Sequence, residues 1–423
     1  MKKTNIIYSQ FFYLTIILSV VGFYYKSSYA QSQHNHSIQK TTSVNKVCNN
    51  SGAYPDLRCA LAPSVLFDKQ GRAWVVWVYA DHVYVSQSND KGQSFNAPVK
   101  VNSVPEKIYA KGENRPKIAF GPKNEIFISW TKKITQKRFS GDIRFSRSID
   151  GGKHFSNPIT VNDHRELTSH RFDAMSVNQK GDIYIAWLDK RDLLAAQKAG
   201  VKYNGAALYY ALSTDDGKTF RKNKKIADNT CQCCRVAMAI DEKQLPVIVW
   251  RHIFSDNVRD HGIVNFSKAD HANMPLRLSY DNWKIKGCPH HGPAISVTDD
   301  GVYHTTWFNN APESHGLFYA NSKNRAANFS KPINFGDYKK SASHPHVLSI
   351  DERVYIVWKE FDGKYSSLNL MMSSDAGESW SEPKQVMKTA AVSDHPFLIN
   401  DEENIYISWH RSGEEYRLIR VSI

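Results

Sequence analysis

The stretch KIAFGPKNEIFISWTKKITQKRFSGDIRFSRSIDGGKHF, residues 117–155, carries the pattern that decides the fold. Ile118 opens one short apolar run, and Ile126 to Trp130 forms a second that ends on tryptophan. After a loop, Ile143 to Ser146 forms a third, followed by the turn residues Ser148, Asp150 and Gly152 and then Phe155. Short runs bounded by Gly, Asn, Asp and Ser predict strands joined by tight turns, a β-meander. The unit recurs: Trp77, Trp130, Trp187, Trp250, Trp307, Trp358 and Trp409 are spaced by 53, 57, 63, 57, 51 and 51 residues. Ahead of each stands an apolar residue opening another strand, namely Val65, Ile118, Met175, Met238, Ile295, Val347 and Leu398. One small sheet cannot bury both of its faces alone, so a strand-built repeat of this length predicts sheets packed radially around an axis. The expected class is all-β, a β-propeller of four-stranded blades, with seven blades favoured over six.

Four units end their third strand in Ser-x-Asp-x-Gly-x-x-aromatic: Ser88, Asp90, Gly92, Phe95; Ser148, Asp150, Gly152, Phe155; Ser213, Asp215, Gly217, Phe220; Ser373, Asp375, Gly377, Trp380. The carboxylate is placed to accept backbone N–H groups, and Gly supplies positive φ. This pattern resembles the Asp-box (BNR repeat) family and so the sialidase-like β-propellers, and the resemblance covers nearly the whole chain beyond the N-terminal segment. Units four and five lack a clean box and keep Asp281-Asn282-Trp283 and Asn324 to Phe329 as remnants. The last unit reaches Ile423 after three strands, so Thr42 to Val47 is expected to supply its fourth and close the ring without an edge.

With 423 residues, 41% of them apolar, the chain can bury a large core, which excludes a disordered tail or a disulfide mini-scaffold. Lys and Arg total 55 against 41 Asp and Glu, a net +14, but the charges are scattered. No basic run or helix face points to nucleic acid. Lys2 and Lys3, the apolar run Phe11 to Tyr25 and Ser28-Tyr29-Ala30 read as a signal peptide over residues 1–30. No later run is apolar and long enough to span a membrane. The expected product is an exported protein, periplasmic or extracellular, with residues 31–50 as an N-terminal segment and 51–423 as one propeller domain in an oxidising space.

In a propeller the loops entering the first strands and those leaving the second strands share one rim. Ahead of the first strands stand Arg115, His170, Arg171, Arg235, His290, His291, His344, His346, Asp394 and His395; after the tryptophan strands come Asp189, Asp192, Arg251 and His252. Ionisable residues at corresponding positions of several units predict a functional mouth. Cys231, Cys233 and Cys234 precede one blade, and Cys288 with His290 and His291 precedes the next. Thiolates beside imidazoles are ligands for copper or zinc. The same cysteines in an exported protein also suit disulfides or redox chemistry, and spacing leaves the three open. Cys48 and Cys59 are close enough in sequence to bridge.

The sialidase resemblance implies three arginines clamping a carboxylate, for which Arg115, Arg171 and Arg235 are the candidates, with Asp189 or Asp192 as proton donor. The family's Phe/Tyr-Arg-Ile-Pro opening is replaced here by Asn114-Arg115-Pro116. Two functions therefore stand from the sequence: a rim of Arg, His and Cys binding an anionic or metal-linked ligand such as a glycan, or an exo-glycosidase of sialidase type acting on acidic sugars. A rim that presents its loops to a protein partner is the third. Seventeen histidines add the expectation that rim binding changes between about pH 5 and 7. The long segments Lys190 to Asn204 and Phe254 to Pro275 are expected as loops beside the mouth.

Overall fold

Seven sheets follow one another along the chain, each an antiparallel meander whose first strand is innermost. The computed structural model describes residues 55–422. The expected signal peptide and N-terminal segment, the expected ring-closing strand Thr42 to Val47 and Cys48 lie outside the described residues. The first blade pairs Leu61–Phe67, Ala73–Tyr79, His82–Ser88 and Val99–Lys100 in order. The third pairs His170–Val177, Ile183–Asp189, Ala206–Ser213 and Lys224–Thr230. The seventh contributes Phe397–Asn400, Ile405–Ser408 and Ile419–Arg420 among the described residues. Seven blades, not six, make the ring.

The core is divided as the repeat requires. Among the described residues there are seven apolar clusters, and each lies between two successive blades, the last joining Val65, Trp77 and Tyr84 of blade one to Ile399, Tyr406 and Leu418 of blade seven. Every repeat tryptophan is at most 1% exposed. A buried indole N–H needs a partner. Trp130 donates to Glu106, Trp187 to Asp189, Trp307 to Asp281 and Trp358 to Glu360, at 2.8–3.2 Å. Trp250 donates to His252 Nδ1 and Trp409 to the Asp394 carbonyl. Trp77 Nε1 has no hydrogen-bond partner among the described residues.

The turn motif acts as its chemistry predicts. In blade two, Ser148 Oγ donates to Asp150 and accepts from Gly152 N–H, while Asp150 accepts from His154 N–H. Gly152 sits at φ 83° and its Cα lies close against Trp74, so a side chain there would meet both strain and the ring. Blade five keeps the same turn with Asn for Asp: Ser322 Oγ bonds Asn324, Ala326 N–H bonds Ser322, and Asn328 N–H bonds Asn324. The Asp281-Asn282-Trp283 remnant is not a turn of this kind. It lies in the connection between blades four and five, where Asp281 accepts from Trp307 and Trp283 packs edge-on to Phe308.

Two expected loops are also different. Arg191–Lys198 is an α-helix, and the segment from Phe254 to Pro275 contains the third strand of blade four, His261–Lys268. Blade four then has two short outer strands, His271–Ala272 and Leu276–Arg277, both paired with that third strand.

The tryptophan contacts give a paired test of what the indole N–H is worth. Trp358→Phe removes a hydrogen bond to a buried carboxylate and should cost about 1–3 kcal/mol, whereas Trp77→Phe removes none and should cost about 1 kcal/mol less. Chemical denaturation of both variants against the parent chain measures the difference.

Candidate functional site

The residues three places before each first-strand apolar position are, in chain order, Ala62, Arg115, Phe172, Arg235, Gly292, His344 and His395, and of these Arg115, Arg235 and His395 line an axial cavity. Blades one, three and six reach this point through a shift in strand register, and there Ala62, Phe172 and His344 have φ of 49°, 62° and 52°. The sequence equates Arg171 with Arg115 and Arg235, but it lies one place earlier. A one-residue offset sends a side chain to the opposite side. Arg171 accordingly stacks on Tyr109, Phe139 and Phe172, with its guanidinium carbon 4.9, 5.6 and 4.7 Å from the ring centres. Arg115 and Arg235 instead line an axial cavity of about 550 Å³ with Glu113, Lys117, His346 and His395.

Glu113, which no motif singles out, organises that cavity. Its Oε1 is 2.5 Å from Arg235 Nη1, and its Oε2 accepts the backbone N–H groups of Arg235 and Gly292 at 2.8 and 2.7 Å. His344 and His395 hold Nδ1 3.4 and 3.6 Å from Oε1. Burial alone would raise the Glu113 pKa, but the Arg235 charge and His344 outweigh it and hold the carboxyl well below its usual range. Arg115 donates to Asp394 and to the Pro63 carbonyl, both at 2.9 Å. Both axial arginines thus carry their own carboxylates.

Above them runs a stack of rings: Phe308 on His291 at 4.1 Å, His291 on His344 at 4.4 Å and His344 on His395 at 3.4 Å. Glu113, His344 and His395 are close enough to share a cation. Arg235 already occupies the carboxylate, and Arg115 and Lys359 also disfavour positive charge at His395, so the electrostatics oppose a metal there.

The sulfur-bearing residues form a separate group. Cys231, Cys233 and Cys234, which connect blades three and four, are buried; Cys288, before blade five, is exposed. All four are free thiols, so the disulfides expected among them are not formed. The Cys231 sulfur lies 3.8 Å from Cys233 and 3.9 Å from Cys234; the sulfurs within 4.8 Å of one another are these three, with Cys288 outside that group. Arg259 Nη1 points at the Cys231 sulfur from 3.4 Å. Hydrogen bonds from Cys233 and Cys234, with Arg251 and Arg259 adding positive charge, lower the Cys231 pKa. Among the described residues no histidine joins this ligand group. His290 is exposed with φ 56°, and His291 turns into the ring stack instead.

The other expected rim residues have firm structural partners. Asp189 is fully buried, bonded by Trp187 and Arg191, and Asp192 accepts from Tyr209 OH at 3.0 Å. Arg251 donates to the carbonyls of Arg259, His291 and Phe308. His170 Nδ1 pairs with the Gly141 carbonyl, His252 Nδ1 accepts from Trp250, and His346 Nδ1 accepts from Leu398 N–H at 3.2 Å. Several cations, by contrast, form no carboxylate ion pair among the described residues: Lys117, Arg171, Lys190, Arg251, Arg259 and Lys359. Burial lowers the pKa of Lys117, Arg171, Lys190 and Lys359.

No protein-family model and no curated protein matches the chain. Solved structures match it in fold. A polysaccharide lyase of family PL25, an ulvan lyase bound to -[GlcA(1-4)Rha3S]-, is 12% identical over 86% of this chain and 94% of its own, with a TM-score of 0.55. The polysaccharide lyase Uly1 is 10% identical over 85% and 88%, with a TM-score of 0.53. A Hadza microbial sialidase is 12% identical over 83% and 76%, with a TM-score of 0.47. At these identities the likeness is one of fold.

Three of the rim histidines are held neutral by burial. Burial lowers His344 and His252 to about 4 and His346 to about 3, so these rings stay neutral across pH 5 to 7. Their folded pKa lies below the unfolded value of about 6.5, so the unfolded chain binds more protons in between. Stability is therefore complete above pH 6.5 and falls as pH drops toward about 4, by roughly 3 kcal/mol per ring. Denaturation at pH 7 and pH 4.5 should show this loss, and His346→Gln should remove part of it.

Proposed function

We propose that this chain is an exported carbohydrate-directed propeller whose rim binds an anionic glycan. The observation that carries this function is the set of rim cations left without carboxylate partners, Arg171 and Lys190 foremost. Desolvated positive charge seeks an anion, and a guanidinium matches a carboxylate or sulfate in bidentate geometry. Tyr109 and the half-exposed Phe139 flank Arg171 with ring faces suited to the apolar side of a sugar. The fold likeness to two polysaccharide lyases, one solved with a uronate- and sulfate-bearing oligosaccharide, supports the same class of ligand.

Binding is favoured over sialidase-type hydrolysis because Arg115 and Arg235 are already neutralised by Asp394 and Glu113, and Arg171 points away from them. Neither Asp189 nor Asp192 stands beside these arginines as a free proton donor; each is held by its own neighbours.

The test is binding of the protein to an immobilised uronate- or sulfate-bearing polysaccharide against a neutral one. Binding should weaken with salt, and Arg171→Gln and Lys190→Gln should each lose about 10- to 100-fold in affinity. Equal binding to the neutral polymer, or no effect of either substitution, would refute it. A fluorogenic sialoside should remain intact; turnover that disappears in Arg235→Ala would put an exo-glycosidase in its place.

A further inference from the structure

We infer that Cys231, Cys233, Cys234 and Cys288 form a thiolate site for one soft d10 metal ion, copper(I) or zinc(II). This goes beyond glycan binding and does not depend on it. The first argument is geometric. Three sulfurs bound to one ion at about 2.3 Å stand about 3.8 Å apart in a tetrahedral arrangement and about 4.0 Å apart in a trigonal one. Cys231 stands 3.8 and 3.9 Å from Cys233 and Cys234, and the three sulfurs lie within 4.8 Å of one another. Two of the three separations in the trio already match those of a common centre, and the third needs at most a small side-chain adjustment.

The second argument is the surroundings. Free cysteines are often just small buried apolar residues, and Phe172, Leu188 and Leu208 do wall the trio as a core would. A core role does not account for Arg259, which has no carboxylate partner among the described residues and aims its guanidinium at the Cys231 sulfur. Arg251 adds positive charge at Cys231 beside that contact. Such a shell compensates a metal–thiolate centre, whose net charge is negative with either ion, and is more negative with copper(I) for the same number of sulfurs.

The third argument is access. Cys288 comes from the neighbouring inter-blade connection and is the exposed member, so an ion can enter on that side and be closed over by the buried trio. Each thiol that binds releases its proton to water, and the ion keeps its oxidation state throughout. The all-sulfur set selects soft ions over magnesium or calcium, which take oxygen.

The experiment is titration of the reduced protein, under anaerobic conditions, with copper(I) in one arm and zinc(II) in the other. Metal retained after desalting, sulfur-to-metal charge-transfer absorption and alkylation of thiols under denaturing conditions are the readouts. About one equivalent of at least one ion should be retained, with these four cysteines protected from alkylation. Cys231→Ser and Cys288→Ser should each lower affinity about 10- to 100-fold. Cys288 is exposed, so its variant should melt like the parent, which separates loss of metal from loss of fold. Competition between the arms tells which ion the site prefers. The proposal is overturned if neither ion protects the thiols, if Cys288→Ser binds as the parent does, or if protein from an oxidising compartment carries these cysteines as disulfides without metal. Polysaccharide binding measured on Cys288→Ser distinguishes this failure from that of the glycan site, since the variant should retain it.

Discussion

The burial of one tryptophan per sheet between neighbouring blades is the contact on which the rest of the structure depends. A four-stranded meander presents apolar side chains on both faces, and here each face is covered only by the next sheet in the ring. The indole fills the space where two sheets diverge, and its N–H must still be satisfied inside that low-dielectric gap. Carboxylates at the rim answer this need in four blades, so residues such as Asp189, Asp281 and Glu360 are fixed by packing before any ligand is considered. Part of the rim's acidity is thus structural, and what remains chemically free is its positive charge and its sulfur.

That residual chemistry is divided by a small backbone offset. Arg115 and Arg235 sit three places before the first-strand apolar residue and meet Asp394 and Glu113 at the axis. Arg171 sits four places before it, next to the register shift at Phe172, and it lands on aromatic rings instead. The rim therefore holds two electrostatic environments. Near the axis the arginines are neutralised and the buried histidines uncharged; between blades three and four, Arg259 meets the sulfur of Cys231.

Most of the architecture could be read directly from the chain. Seven tryptophans with an apolar partner upstream fixed the number of blades, and four Ser-x-Asp-x-Gly turns located the outer hairpins. Asn324 to Phe329 proved to be a working variant of that turn, because an asparagine oxygen can accept the same N–H groups. Asp281 shared the composition of the motif but not its place, since only strand pairing decides whether a residue follows a third strand. The helix Arg191–Lys198 and the strand His261–Lys268 were obscured by the polar residues around them. The grouping of Cys231, Cys233 and Cys234 was legible in their spacing, yet their free state was not, because sulfur separations depend on side-chain directions that spacing does not encode. Glu113 escaped notice for the same reason: its importance lies in partners 122 and 179 residues away.

The seven separate apolar clusters also govern how such a chain can change its size. In a linear solenoid an end unit can be trimmed at the expense of one interface, but here the cluster joining Trp77 to Leu418 makes every blade an interior one. Excising any single blade would uncover two hydrophobic faces and demand a new curvature from the six survivors. Gene-level shortening by one repeat should thus be met with aggregation rather than a smaller ring, whereas lengthening within a connection such as that between blades four and five leaves every interface intact.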